Sequence, residues 1–162
     1  IAMVELLNRY FDTLGEAIAA HDGQILKFMG DGLLAVFPLT PEKDQAGIHD
    51  AAMLAALRAR ANLQVLNTAL ANEERAAIDF GIGLHAGTVA FGNIGTGTRL
   101  DFTVIGPAVN QASRVQDLTK ELREPILATG DFVNMLKLPV RHVGARALRG
   151  VERPVNLFAP II

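Results

Sequence analysis

Two short apolar runs, residues 24–29 and 33–37, meet at Gly30-Asp31-Gly32. Asp-Gly between such runs is a strong hairpin signal, because a two-residue loop with positive φ matches the twist of the flanking strands. Pro38 and Pro41 close the second run. On either side the apolar period lengthens. From Met3 to Ala20, Val4, Leu7, Phe11, Leu14 and Ile18 recur at spacings of three and four, while Asn8, Asp12 and Glu16 lie off that stripe. Gly23 is placed to end this helix. Asp44 to Leu70 is rich in alanine and holds no proline, so it reads as one long helix. A hairpin set between two helices calls for a mixed fold in which helices cover a sheet.

The rest of the chain repeats the alternation. Ile78–His85 and Thr88–Ile94 read as two strands turned at Ala86-Gly87, and Leu100–Ile105 as a further strand. Gly106-Pro107 opens a helix to about Leu118, with proline near its favoured first-turn position. A strand near Ile126–Thr129, a short helix over Asp131–Leu136, and strands near Val143–Leu148 and Val155–Phe158 complete the pattern. The expected class is α+β, with helices packed on one face of a mainly antiparallel sheet. With a strand before Ile1, the opening would be the βαββαβ order of a ferredoxin-like core.

The 162 residues suit one domain spanning 1–162, without repeats or linkers. A chain of this size buries roughly 70% of its unfolded surface, so it needs no covalent staples. It has no cysteine, which excludes disulfides, thiolate metal sites and a cysteine nucleophile. A net charge of -2 supplies no global field for nucleic acid or an anionic membrane. No run approaches the ~18–20 apolar residues of a membrane span.

Two local patterns could carry chemistry. In Lys27-Phe28-Met29-Gly30-Asp31-Gly32, Lys27 interrupts an apolar strand. A lysine there is costly to desolvate unless it reaches a partner or a site. Asp31, between two glycines at a hairpin tip, offers a carboxylate of the kind that hard cations such as Mg²⁺ take. Taken alone, Asp-Gly also simply makes the turn. In the helix after Pro107, Asn110 and Arg114 are four residues apart and share a face, with Asp117 beside them. Such a pair can grip a ribose and a phosphate, since the arginine fork matches phosphate oxygens. It is equally what a solvated helix face looks like. Other signals fail. The glycines of residues 81–87 lie in a strand pattern rather than opening a helix, and residues 92–99 lack the Gly-Lys-Ser/Thr of a phosphate loop. The four histidines, His21, His49, His85 and His142, have no metal-ligand spacing. Ser113 has no nucleophile-elbow glycines.

Taken in order, the segments at residues 22–37, 81–95, 101–114 and 147–155 resemble the class III adenylate and guanylate cyclases. Each motif is modest, but the ordered set is specific and covers most of the chain. The resemblance implies that Asp31 is one of two aspartates holding two divalent metals, Mg²⁺ or Mn²⁺. It implies that Lys27 and Thr103 read the purine edge, that Asn110 orients the ribose, and that Arg114 stabilises charge on the α-phosphate. Arg149 falls where the family usually has a lysine for the terminal phosphates. Lysine with threonine looks like ATP selection, whereas guanylate cyclases resemble a glutamate and cysteine pair.

The implied activity is adenylate cyclase: ATP to 3′,5′-cyclic AMP and pyrophosphate, in signalling. The family builds its sites across a head-to-tail dimer, so a homodimer with shared active sites is expected. The metal aspartates of one subunit then face the purine and ribose residues of the other. An upstream regulatory domain and a cytoplasmic location, alone or within a larger membrane-attached protein, are expected as well. The family's first metal aspartate lies on a strand before the first helix, and this sequence starts after it. The piece is therefore expected to be N-terminally incomplete and inactive without that upstream aspartate. Two rival readings are a catalytically dead regulatory cyclase-like domain that binds nucleotide or only dimerises, and a guanylate cyclase. A diguanylate cyclase is disfavoured, because the turn is Met29-Gly30-Asp31-Gly32 and not Gly-Gly-Asp/Glu-Glu-Phe.

Overall fold

The helix stripe beginning near Met3 does form a helix, α1 (Ala2–Ala20), and it lies along the alanine-rich helix α2 (Gln45–Asn72). The computed structural model describes residues 2–29, 32–96 and 99–161; residue 91 and residues 93–96 and 99–103 are described by their backbone alone. Tyr10, Leu14, Ala17 and Ile18 of α1 are buried, as are Ala52, Met53, Ala56, Leu63, Leu66 and Leu70 of α2. The alanines let two helix backbones approach, and the larger side chains fill what remains. Arg9 donates to both oxygens of Glu73 at 2.9 Å, and Arg58 forms a forked pair with Glu16. These contacts tie α1 to the middle of α2 and to its C-terminal cap.

The chain divides into two compact units, Ile1–Gly81 with Met135–Leu138, and Ile82–Asn134 with Pro139–Ile162. In the first, the expected hairpin is present. Strand β1 (Gln24–Met29) pairs antiparallel with β2 (Gly32–Val36), from Met29↔Gly32 to Gln24↔Val36, with a bulge between Ile25 and Lys27. The returning segment is fastened to α2 where the carboxylate of Asp50 accepts the main-chain N–H groups of Lys137 and Leu138 at 2.9 and 3.2 Å.

The second unit is built on a sheet of order β3-β6-β8-β7, from β3 (Ile82–Leu84), β6 (Ile126–Thr129), β7 (Val140–Arg146) and β8 (Val155–Pro160). β3 and β6 run parallel, while β6–β8 and β7–β8 are antiparallel. A separate antiparallel ribbon joins β4 (Ala90–Thr96) to β5 (Arg99–Ile105). Helix α3 (Pro107–Glu121) lies on β3 and β6, and a single turn, α4 (Gly130–Val133), follows β6. The contact with β3 requires Gly83. A Cβ there would fall 2.6 Å from the Gln116 nitrogen and 2.7 Å from the Ala112 oxygen, both backbone atoms of α3. The expected class, α+β with mainly antiparallel pairing, is the one observed.

The expected strand turn at Ala86-Gly87 does not form a hairpin. β3 pairs with β6 and β4 with β5. Residues 78–81 also lie outside any strand. Side chains of α2 take the hydrogen bonds a strand neighbour would have taken. Asn67 accepts from the Ile78 N–H at 2.8 Å and donates to the Ile78 carbonyl at 2.9 Å. Arg60 donates to the Phe80 carbonyl at 2.8 Å. The short helix after β6 ends at Val133 rather than Leu136.

Candidate active site

Lys27 stands on β1 opposite Leu34, with its side chain exposed. A bulge just before it interrupts the β1–β2 register, and its neighbours Phe28 and Met29 are exposed as well. Asp31, the candidate metal ligand, lies outside the described residues. Among the described residues, no group of three or more His, Asp or Glu side chains is arranged to hold a metal ion.

The other candidates belong to the second unit. Thr103 sits on β5 opposite Gly92, and its side chain lies outside the described residues. Two residues after β5, Pro107 starts α3 at its first turn, where a missing N–H leaves no bond unmade. That start fixes the rotation of the helix. Val115 and Thr119 face the interior, Asn110 is exposed, and Arg114 is half-buried one turn beyond it.

The structure brings Arg114 and Arg149 together. A guanidinium N–H of Arg114 donates to the main-chain carbonyl of Arg149. Arg149 itself is exposed, on the turn between β7 and β8. The turn is closed by the Val151 N–H on the Leu148 carbonyl at 3.1 Å. Leu148 anchors it from below, packed with Val115, Leu127 and Leu157 in one buried cluster. Val115 adjoins Arg114 on α3, so one core cluster supports both cationic residues. Arg146, Arg149 and Arg153 are all exposed along this segment, against a single acid, Glu152. A concentration of arginine side chains beside a half-buried one is an environment for a polyanion.

Sequence reasoning set His85 aside, and the structure gives it a partner. Leu84 pairs with Ala128 in the parallel β3–β6 ladder. The His85 Nδ1 therefore falls 2.7 Å from the Thr129 hydroxyl oxygen, which also accepts the Phe132 N–H at the start of α4. Burial pushes the His85 imidazolium pKa below its ordinary value, with the Asp131 carboxylate opposing. No spacing in the sequence joins residues 85 and 129; only the ladder does. Gly150, beside Arg114, was likewise not singled out as a site residue. Its one signal is a glycine following an arginine at a strand connection.

Comparison with known proteins gives one family. The adenylate and guanylate cyclase catalytic domain matches residues 1–157. Adenylate cyclase 1 of Rhizobium meliloti is 30% identical over 158 residues, covering 96% of this chain and 24% of that protein. The crystal structure of the adenylyl cyclase CyaB from P. aeruginosa superimposes with a TM-score of 0.87 at 28% identity, covering 99% of this chain and 83% of that one. The guanylyl cyclase Cya2 superimposes with a TM-score of 0.80, also at 28% identity, over 96% of this chain and 78% of that one. The chain spans about a quarter of the length of the curated relatives it matches. The family match runs across nearly every residue, and the fold superimposes over 99% of the chain; the chain belongs to the adenylate and guanylate cyclase catalytic domain family.

Proposed function

We propose that this chain is the catalytic domain of an adenylate cyclase, making 3′,5′-cyclic AMP and pyrophosphate from ATP. The observation that carries the proposal is the pairing of Arg114 with the Arg149 turn, beside Asn110 on the same helix. It supports reading Asn110 as the amide that holds the ribose and the arginines as the cations that meet the phosphates. The ribose 3′-oxygen attacks the α-phosphorus, the bond from that phosphorus to the β-phosphate bridge oxygen breaks, and pyrophosphate leaves with both bonding electrons. The hydroxyl proton passes to solvent. Asn110 holds the sugar so that the 3′-oxygen is already near the phosphorus, and Arg114 meets the charge that grows on the α-phosphate oxygens. Arg149 binds the terminal phosphates. No protein nucleophile takes part.

Asp31 is the residue that would hold divalent cations. Its donor chemistry fits Mg²⁺ or Mn²⁺, since a hard cation takes a carboxylate oxygen and fills its remaining positions with water and phosphate oxygens. When bound, such ions lower the pKa of the 3′-hydroxyl and neutralise developing phosphate charge. Asp31 and Arg114 are each assigned to a site shared between two copies of the chain. Among the described residues no helix is long and apolar enough to cross a membrane. A cytoplasmic location and an upstream regulatory region belong to the same proposal.

Base choice follows from donors and acceptors. Lys27 can only donate, which suits adenine N1, whereas guanine presents an N–H there. Thr103 can accept from the 6-amino group or rotate to donate, so Lys27 carries most of the discrimination. The intact protein, assayed with ATP and with GTP in Mn²⁺, should form cyclic AMP. Mixing Asp31→Ala chains with Asn110→Ala chains, each inactive alone, should restore turnover, because one of the two sites in the mixed dimer is free of both changes. Absence of recovery with mixed dimers present would exclude shared sites. GTP turnover at or above ATP turnover would favour the guanylate reading. No turnover of either nucleotide would favour a regulatory, catalytically dead domain.

A further inference from the structure

We infer that Gly150 is a positioning residue for Arg114, acting through the direction of the Arg149 carbonyl. The inference rests on the reading of Arg114 as the group that meets charge on the α-phosphate. The turn from Leu148 to Val151 is closed by its i to i+3 hydrogen bond, 3.1 Å long. Gly150 occupies the third position with φ of +85°, while Arg149, at the second, is not among the residues with positive φ. That combination is a type II turn, whose third residue needs a positive φ. Types I and II differ chiefly in the orientation of the peptide between the second and third residues. Here that peptide carries the Arg149 carbonyl, the acceptor for the Arg114 guanidinium. In type I geometry the same peptide turns its oxygen away and brings the Gly150 N–H round toward Arg114, so a donor would face a donor. The glycine therefore selects which end of a peptide dipole meets the arginine.

The bond leaves Arg114 most of its capacity. A guanidinium carries five N–H donors in a rigid plane, so fixing one edge on a carbonyl aims the others. Both ends of the bond rest on one buried cluster, through Leu148 under the turn and Val115 beside Arg114. Space enforces the same choice as backbone torsion. A Cβ on residue 150 would lie 3.3 Å from Arg114 Nη1. An alanine would thus both disfavour the positive φ and press on the guanidinium.

The test uses the intact protein and five forms: unmodified, Gly150→Ala, Gly150→Asn, Arg114→Ala, and Arg114→Ala with Gly150→Ala. Gly150→Ala should lower kcat about tenfold or more with KM for ATP changed by less than about twofold, the mark of an interaction made in the transition state. On the Arg114→Ala background the same change should cost nothing further. Asparagine carries the same Cβ but tolerates the left-handed region, so Gly150→Asn should keep more of kcat than Gly150→Ala. A readout independent of turnover is the rotation of the Arg114 guanidinium in ¹⁵N-arginine spectra. It should be slow in the unmodified protein and in Gly150→Asn, and fast in Gly150→Ala.

Losses that multiply in the double variant, an effect on KM alone, or an Arg114 guanidinium equally mobile in all forms would overturn the inference. If Gly150→Ala fails to fold, the Asn form decides, and a loss of kcat as large as that of Arg114→Ala overturns it. The two levels separate cleanly. Full activity in Arg114→Ala removes the assigned role of Arg114 and this inference together. Activity lost in Arg114→Ala but kept in Gly150→Ala removes this inference alone.

Discussion

Strands β1 and β6 are composed of similarly apolar residues and end in opposite surroundings. Ile126, Leu127, Ala128 and Thr129 of β6 are almost wholly inaccessible, between β3 and β8 with α3 laid across them. On β1, Ile25, Phe28 and Met29 are 37, 54 and 40% exposed. Among the described residues, Phe28 keeps an aromatic contact with Phe11 of α1, at a centroid distance of 4.6 Å. β6 is a structural strand: it orders the cluster under the Arg149 turn. β1 holds the candidate side chain Lys27 at a place where little packing depends on it. A fold that separates these tasks can alter its hairpin chemistry with small cost in stability.

The contrast breaks first on stability. Leu127→Ala removes a fully buried side chain from the cluster with Val115, Leu148 and Leu157, and should cost about 2–5 kcal/mol. Phe28→Ala should cost about 1 kcal/mol, little beyond its aromatic pairing. Denaturant unfolding of the two variants checks this, and equal losses would abolish the distinction between the strands. The next effect is on activity. Asp31→Ala should lower kcat of the intact protein at least about 100-fold, or roughly 2.7 kcal/mol, with an unchanged melting temperature. Near-normal turnover would remove Asp31 from the metal site, and unfolding would return it to a plain turn residue. Smaller again is base choice. ATP should be preferred over GTP by at least about tenfold in kcat/KM, because a donor that a bound guanine encloses against its N1–H loses ~1–3 kcal/mol. Lys27→Glu with Thr103→Cys should narrow or invert that ratio.

These regions also differ in how much of them could be read from sequence. The hairpin was legible to within a residue, because Asp-Gly and its flanking runs lie within a dozen positions. The start of α3 was equally plain from Pro107, and with it the face shared by Asn110 and Arg114. Pairing of β3 was not legible. Ala86-Gly87 reads as a turn, yet the partner strand begins at Ile126 after a crossover through α3, and period-two alternation carries no information about which strand lies alongside. The same limit applies at the site. Arg114 and Arg149 could be named separately, but their bond spans 35 positions and depends on the rotation of a helix and the type of a turn. Residues 78–80 read as strand because they are apolar enough. Their backbone is satisfied by Asn67 and Arg60 instead, which no local pattern encodes.

The smallest expected effect is a dependence of stability on pH confined to the β3–β6 region. His85 is half-buried against Thr129, and burial lowers its folded pKa below the ordinary value of 6.5. Below 6.5 the unfolded chain therefore binds a proton that the folded chain does not yet accept. By linkage, the contribution of neutral His85 is fully present above pH 6.5 and is lost as pH falls through the folded pKa. Thr129 favours the same state, since its hydroxyl can donate to the neutral Nδ1 while its oxygen accepts the Phe132 N–H. The clamps between α1 and α2 titrate lower. Glu16, bound by Arg58 and Asn62, has its pKa lowered to about 2, so its contribution is present above about 4.5 and fades toward 2. Melting temperatures measured from pH 7.5 to 5 should thus fall slightly for the unmodified protein, and the fall should be smaller in His85→Gln. Glu16→Gln should leave that interval unchanged and flatten only the region below about pH 4.5. An unaltered slope between pH 7.5 and 5 in His85→Gln would place the neutral-range titration elsewhere than under β6.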